Sequence, residues 1–321
     1  MRFGALDSAP VRVGGSSAEA LAESLARAEH LEGLGCDRMW FTEHHLAPDV
    51  ASSSPLTLVG QAATRTSRMR LGAGGVMIRN HPPLVAAEQA ATLSLLHPGR
   101  VDVGLGRSGG SEPATDVRIR RTVLNYDNFD DDVRETVHLL DRLGAEGVEV
   151  FVLAASPGTA TFAGREGLGL AVAGHVAPAD MDRAVEAYRE HFRPRFGRDN
   201  SYIVLCLPVI IAESDEEARW WFRSVQQRYL DRLRSGGAPM RPPEDAELDW
   251  SASERYRVEG MLAAALVGSD PTVHARLLDI DRRLAPDEVM AMTDLTDPEV
   301  TLRSFAGLAK VIAAVPDVAR R

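Results

Sequence analysis

A chain of 321 residues with 45% hydrophobic content can bury a full-sized core, so it is read as globular rather than disordered. Its 46 acidic residues outnumber 36 basic ones, and the formal charge of -10 opposes attraction to phosphate backbones and anionic membranes, which excludes nucleic acid and membrane surfaces as expected partners. Only two cysteines occur, Cys36 and Cys206, far apart in strand-like contexts, which predicts buried thiols in a reducing compartment, with no disulfide and no zinc site.

Short apolar runs rich in β-branched or aromatic residues recur at residues 2–6, 38–42, 69–74, 101–106, 149–153, 169–174, 202–211 and 288–292. Segments of helical period separate them, an alternation that predicts βα units around a parallel sheet. Eight such units predict one α/β domain over residues 1–321, closed as a (β/α)₈ barrel. At the amino terminus Asp7 comes too early for the apolar core of a secretion signal, so the protein is expected in the cytoplasm. Ser17-Ala18-Glu19 opens a helix over residues 20–34, with Gly35 behind it. Ser214-Asp215-Glu216-Glu217 reads as a capping box for a longer helix that carries Trp220, Trp221 and Phe222. Three bulky neighbours cannot all face one core: either one meets an inserted loop or a second subunit, or they pack beneath a long loop. The apolar run at 261–267 falls well short of the ~20 residues that cross a bilayer and reads as the buried part of a helix. A plain barrel needs about 250 residues, which leaves roughly 70 for insertions. These are expected at 107–147 and 235–253, as lids on the catalytic face.

Four strand ends carry unusual residues. After the second strand stand Glu43-His44-His45, an acid and two imidazoles able to give and take protons near neutrality; the pattern fits an acid–base site or a solvated helix-entry loop. After the third, the paired glycines Gly74 and Gly75 permit close approach of a flat ring, or a tight turn. After the fourth, Arg107 lies beside glycines in a combination suited to phosphate, although Gly104-Leu105-Gly106 lacks the spacing of a dinucleotide fingerprint. After the fifth, Ser156, Gly158 and Thr159 stand at an expected helix start, which can hold a phosphate or simply cap its own helix. Metal binding is not expected, because adjacent histidines on extended backbone point in opposite directions and no ligand pair at helical spacing completes a set.

These segments, together with Leu6-Asp7-Ser8-Ala9-Pro10, Trp40-Phe41-Thr42, Ala51-Ser52-Ser53-Ser54-Pro55, Asn80-His81-Pro82-Pro83 and Asp287-Glu288-Val289-Met290, resemble the luciferase-like flavin-dependent monooxygenases along nearly the whole chain. The likeness is to the branch of bacterial oxidoreductases and antibiotic-pathway tailoring enzymes related to the α subunit of bacterial luciferase. It implies a (β/α)₈ barrel that receives reduced FMN from a separate flavin reductase and oxygenates a small apolar or polyketide-like molecule. It implies that His44 transfers protons with His45 and Glu43 in support, that Gly74-Gly75 forms a strained, sometimes cis, peptide against the ring, and that Arg107, Ser156, Gly158 and Thr159 hold the phosphate. It also implies a homodimer paired through helices that flank the early strands. In two places the chain departs from the family pattern. Ala154-Ala155-Ser156-Pro157-Gly158 replaces Gly-Ser-Ser-Gly, and Arg107-Ser108-Gly109-Gly110-Ser111-Glu112 replaces Arg-Ala-Pro-Gly-Thr-Asp; Arg120 or Arg121 is expected to supply a second cation. Two other readings stand beside this one: a deazaflavin-dependent hydride-transfer enzyme, and a non-catalytic paralogue kept as a partner subunit.

Overall fold

A computed structural model describes residues 1–110, 115, 118–119, 128–195 and 198–315. Its strands are β1 (Arg2–Asp7), β2 (Arg38–Phe41), β3 (Arg70–Met77), β4 (Val101–Gly106), β5 (Glu149–Ala154), β6 (Gly169–Ala173), β7 (Ile203–Ile211), β8 (Leu266–Gly268) and β9 (Glu288–Met292). All pairings between them are parallel, in the order β6-β5-β4-β3-β2-β1-β9-β7, and the β6–β7 pairing closes the ring, so the fold is the expected (β/α)₈ barrel. The helices are α1 (Ser17–Gly33), α2 (Pro55–Ala63), α3 (Pro83–Leu96), α4 (Phe129–Arg142), α5 (Pro157–Arg165), α6 (Met181–His191), α7 (Asp215–Ser235), α8 (Ala252–Met261), α9 (Asp270–Leu284) and α10 (Pro298–Ala313).

All eight expected strands form, and β8 is a ninth that the sequence pattern did not announce. The run at 261–267, read above as one helix, divides: α8 ends at Met261, and Leu266 begins a strand that pairs with Val209 of β7. The nine-residue β7 is long enough for both tasks, since its residues up to Pro208 pair with β9 and its last three with β8. Of the expected insertion at 107–147, the described residues include α4, the helix between β4 and β5; that at 235–253 lies in the chain between β7 and α9, which runs through α7, α8 and β8. Trp221 and Phe222 pack with Trp250 of that added segment and with Val258 and Leu262 of α8 and its end. The Ser214 hydroxyl caps α7 by accepting from Glu217 N at 3.1 Å, but the Glu217 carboxylate takes the N–H of Glu213, so the reciprocal half of the expected box is absent.

Side-chain alternation divides each strand between two cores. Phe3, Ala5, Met39, Phe41, Leu71 and Val103 face the helices, whereas Leu6, Trp40, Phe151, Ala171, Val204 and Met290 fill the barrel. Near its amino-terminal end the barrel is plugged by Arg38. This guanidinium donates to Glu288 Oε2 at 2.9 Å and Asp102 Oδ2 at 2.7 Å, and Trp40 Nε1 donates to the same Asp102 oxygen at 3.0 Å. Burial opposes the Arg38 charge, but Asp102 and Glu288 outweigh it and its pKa is raised. Glu288 has the opposite balance: burial, only partly offset by Arg38, pushes its pKa up to about 7. Both cysteines are buried and free, and among the described residues no helix is long and apolar enough to cross a membrane.

Candidate active site

Beside Trp40 the inward positions of β3 are glycines, because the indole already occupies their space; the β4 glycines Gly104 and Gly106 give way to the Ala73 carbonyl, Leu153 and Met77. A Cβ on Gly72 would meet Trp40 Cδ1 at 2.7 Å, and one on Gly74 would meet Trp40 Cε3 at 2.7 Å. A cavity of about 390 Å³ bordered by Gly74 and Gly106 lies at the carboxyl ends of the strands, the face on which barrels of this class carry their ligands. Leu6, Trp40, Leu153, Ala171 and Cys206 form apolar surface; Thr42, His44, Arg107, Ser156, Thr159 and His175 bring polar groups to it. The Gly74–Gly75 peptide is cis, as the resemblance implied. Gly74 borders the cavity, while Gly75 packs against Leu153 and the Gly104 carbonyl.

The loop after β2 is fixed by Ser52, whose hydroxyl donates to the Thr42 carbonyl at 2.5 Å and whose own carbonyl accepts from His44 N at 2.9 Å. This sets the His44 ring in the cavity, with Nδ1 3.2 Å from Thr42 Oγ1. Burial first, then the positive charges of Arg232 and Arg228, push the His44 pKa down to about 3, so the imidazole is neutral at ordinary pH. Glu43 is used differently. One of its oxygens meets His45 Nε2 at 2.7 Å, His81 Nε2 at 2.9 Å and Asn80 Nδ2 at 3.2 Å, and the other accepts from Met77 N at 3.0 Å. Burial favours its protonated form, but the hydrogen bonds from His81, His45 and Met77 N win, and its pKa lies below the ordinary value. It is an ionised anchor between the loop and the end of β3. His45 lines a neighbouring groove of about 360 Å³, which His44 also borders, and does not line the cavity over Trp40.

The phosphate-binding candidates come together on the opposite wall. Ser156 is the N-cap of α5, its hydroxyl accepting from Thr159 N at 3.5 Å and lying 3.3 Å from Thr159 Oγ1. Gly158 faces open space, where a Cβ would meet nothing within 4 Å. Arg107 stands at the mouth, its guanidinium 4.8 Å from the Phe129 ring centroid and 3.1 Å from Asp130 Oδ1. Arg120 and Arg121 lie outside the described residues.

Sequence reasoning missed two features. His175, just beyond β6, borders the same cavity; burial, outweighing its hydrogen bond to the Cys206 carbonyl, pushes its pKa down to about 4. A histidine immediately after a strand was the available sign. Behind His44 lies a buried ionic cluster: Arg228 donates to Asp49 Oδ2 at 2.7 Å, Asp294 Oδ2 at 2.5 Å and Ser8 Oγ at 3.0 Å, and Arg232 Nε donates to Asp49 Oδ2 at 2.8 Å. Only the four-residue spacing of the two arginines on α7 hinted at it.

Comparison with known proteins bears on this geometry. The profile of the luciferase-like monooxygenases matches residues 1–149 and 144–286. A "Luciferase-like monooxygenase" of Escherichia coli strain K12 is 37% identical over 317 residues, covering 94% of each chain. The apo crystal structure of MsnO8 superimposes with a TM-score of 0.88 at 26% identity, covering 98% of this chain and 99% of that one. More distant structures share the fold alone. The oxygenating constituent of 3,6-diketocamphane monooxygenase of Pseudomonas putida, in complex with FMN, has a TM-score of 0.71 at 17% identity over 98% of this chain and 100% of that one. An F420-dependent secondary alcohol dehydrogenase has a TM-score of 0.66 at 16% identity over 98% and 99%. With a closed barrel and a family profile that runs through both halves of the chain, this protein belongs to the luciferase-like monooxygenase family.

Proposed function

We propose that this chain is the oxygenase of a two-component system: it takes reduced FMN from a separate flavin reductase and uses dioxygen to oxygenate a small apolar or polyketide-like substrate. One observation carries the reading: the His44 imidazole, held neutral by burial, and a helix start, Ser156 to Thr159, face one cavity at the barrel mouth. The residues present fit the cofactor. Leu153 and the bare Gly74 and Gly106, backed by the buried Trp40, line the space for a flat ring, the first turn of α5 offers N–H and hydroxyl donors to a phosphate, and Arg107 adds a cation at the mouth. Reduced FMN held by these residues would supply the electron pair needed to put one atom of dioxygen into a product and the other into water.

The remaining tasks fall to the chain itself. Leu6, Trp40, Leu153 and Ala171 keep bulk water from one side of the cavity. Neutral His44, its ring oriented by Thr42, accepts a proton from the substrate or passes one on. Cys206 contributes surface rather than a nucleophile, because burial pushes its pKa up to about 12. The F420-dependent neighbours favour a second reading of the same cavity, hydride transfer with a deazaflavin. Anaerobic titration with reduced FMN and with reduced F420 separates the two. The monooxygenase reading expects tighter binding of reduced FMN and oxygen uptake on aeration; preference for F420 with no oxygen uptake overturns it. Binding of neither would leave the non-catalytic partner subunit.

A further inference from the structure

We propose that the groove beside His44 is an anion-recognising substrate subsite, with Arg232 as its carboxylate receptor, so that the substrate is an organic anion with an apolar body. The inference rests on the flavin reading, which assigns the cavity over Trp40 to the cofactor and leaves the contiguous groove to the substrate. The two spaces share His44, Ser108 and Gly110 in their walls, so a molecule in the groove reaches the imidazole from the other side.

The groove runs from His45 past Asp49 to Arg232 and Ser235 on α7. Arg232 is held by its side edge: Nε donates to Asp49 Oδ2 at 2.8 Å, and Nη2 is buried 2.8 Å from the same oxygen. Nη1 donates to no group among the described residues, and the side chain lines the groove and keeps 30% of its surface exposed. The guanidinium therefore presents a rigid, pre-positioned N–H end to an incoming ligand.

Its donor capacity is also only partly used. Asp49 Oδ2 is shared with Arg228, which has Asp294 besides, whereas among the described residues Arg232 has that one oxygen alone. The other Asp49 oxygen does not front the groove: it is buried under Gly237, where a Cβ would approach it to 2.7 Å. The depressed pKa of His44, due to burial and then to Arg232 and Arg228, reports their positive field. A ligand carboxylate on Nη1 would satisfy this cation, and a neutral ligand would leave it unmet. The remaining groove wall includes Leu46, Ala47 and Pro48, which suit an apolar body.

The test uses the full chain with sodium octanoate and octan-1-ol as probes, by calorimetry, alongside anaerobic titration with reduced FMN. Wild-type protein is expected to bind octanoate about tenfold more tightly than the alcohol, the scale of one charge-assisted hydrogen bond. Arg232→Gln should abolish that preference while leaving octanol binding and reduced-FMN affinity unchanged. Ser108→Asp, which sets a carboxylate on the same wall, should weaken octanoate similarly and serves if the first variant melts early. Equal binding of the two probes by wild type, persistence of the preference in a folded Arg232→Gln protein, or loss of FMN affinity in that variant each overturns the proposal. Octanoate preference in a protein that binds no reduced FMN would sink the flavin reading and keep the anion subsite; FMN binding without the preference would do the reverse.

Discussion

His44 and His175 are both held neutral by burial, and that fixes what pH can do to them. Their folded pKa values, about 3 and about 4, lie below the 6.5 of an unperturbed imidazole. The unfolded chain therefore binds more protons between those limits, and their contribution to stability is fully present above pH 6.5 and is lost as the pH falls through the window. Melting temperatures at pH 5 and pH 7.5 should differ less for His44→Asn than for wild type, since the variant lacks one of the groups that must stay uncharged. An unchanged difference would contradict a buried neutral His44. The same variant should lower kcat by roughly 10²-fold, the usual contribution of a positioned proton-transfer group, with little change in reduced-FMN affinity. His44, Arg107 and Ser156 were legible in the sequence because each stands at a strand end among other chemistry-bearing residues or glycines, whereas His175, a lone histidine after β6, was not. The partners of Asp49 were not legible, because Arg228 lies 179 residues away and only the closed barrel brings them together.

The elements around the cavity divide into those that make room and those that offer donors. Gly74→Ala would drive a Cβ into Trp40 and against Leu6 Cδ1 at 3.0 Å, and should cost about 1–3 kcal/mol of stability in urea unfolding. Gly158→Ala meets nothing and should melt close to wild type. At the start of α5, joint replacement Ser156→Ala and Thr159→Ala should raise the Kd for reduced FMN about tenfold by removing both hydroxyls from the phosphate end. An unchanged Kd would show that the tail is held elsewhere. The strands were readable because buried parallel strands are continuous apolar runs. β8 escaped because its three residues follow an alanine-rich helix end with no turn residue between them, so apolar content alone could not divide the two.

At the scale of the whole molecule, the barrel closes around a charge. Arg38 is enclosed with Asp102 and Glu288, and removing one member of such a set leaves the others buried and uncompensated. Arg38→Met should therefore destabilise the protein by about 3–5 kcal/mol in chemical denaturation, with the cavity residues themselves unchanged. We also propose a homodimer. Apolar side chains on α3, among them Leu95 and Leu96 with 69% and 67% of their surface exposed, offer a face beside the early strands for a second copy. Light scattering at micromolar concentration should give twice the chain mass; a monomer would refute it. Barrel closure was legible from eight repeats of one pattern, whereas the inner structure of the chain between β7 and α9 was not, since it forms helices and a strand of its own.

The central claim is that the barrel mouth holds a reduced flavin with its phosphate on α5 and its ring within reach of His44. Crystals grown anaerobically with reduced FMN test this most directly. The account predicts the phosphate at Ser156 and Thr159, and the ring over Gly74 and Trp40 with the His44 imidazole facing it. An empty mouth, or a ring bound away from His44, would contradict it.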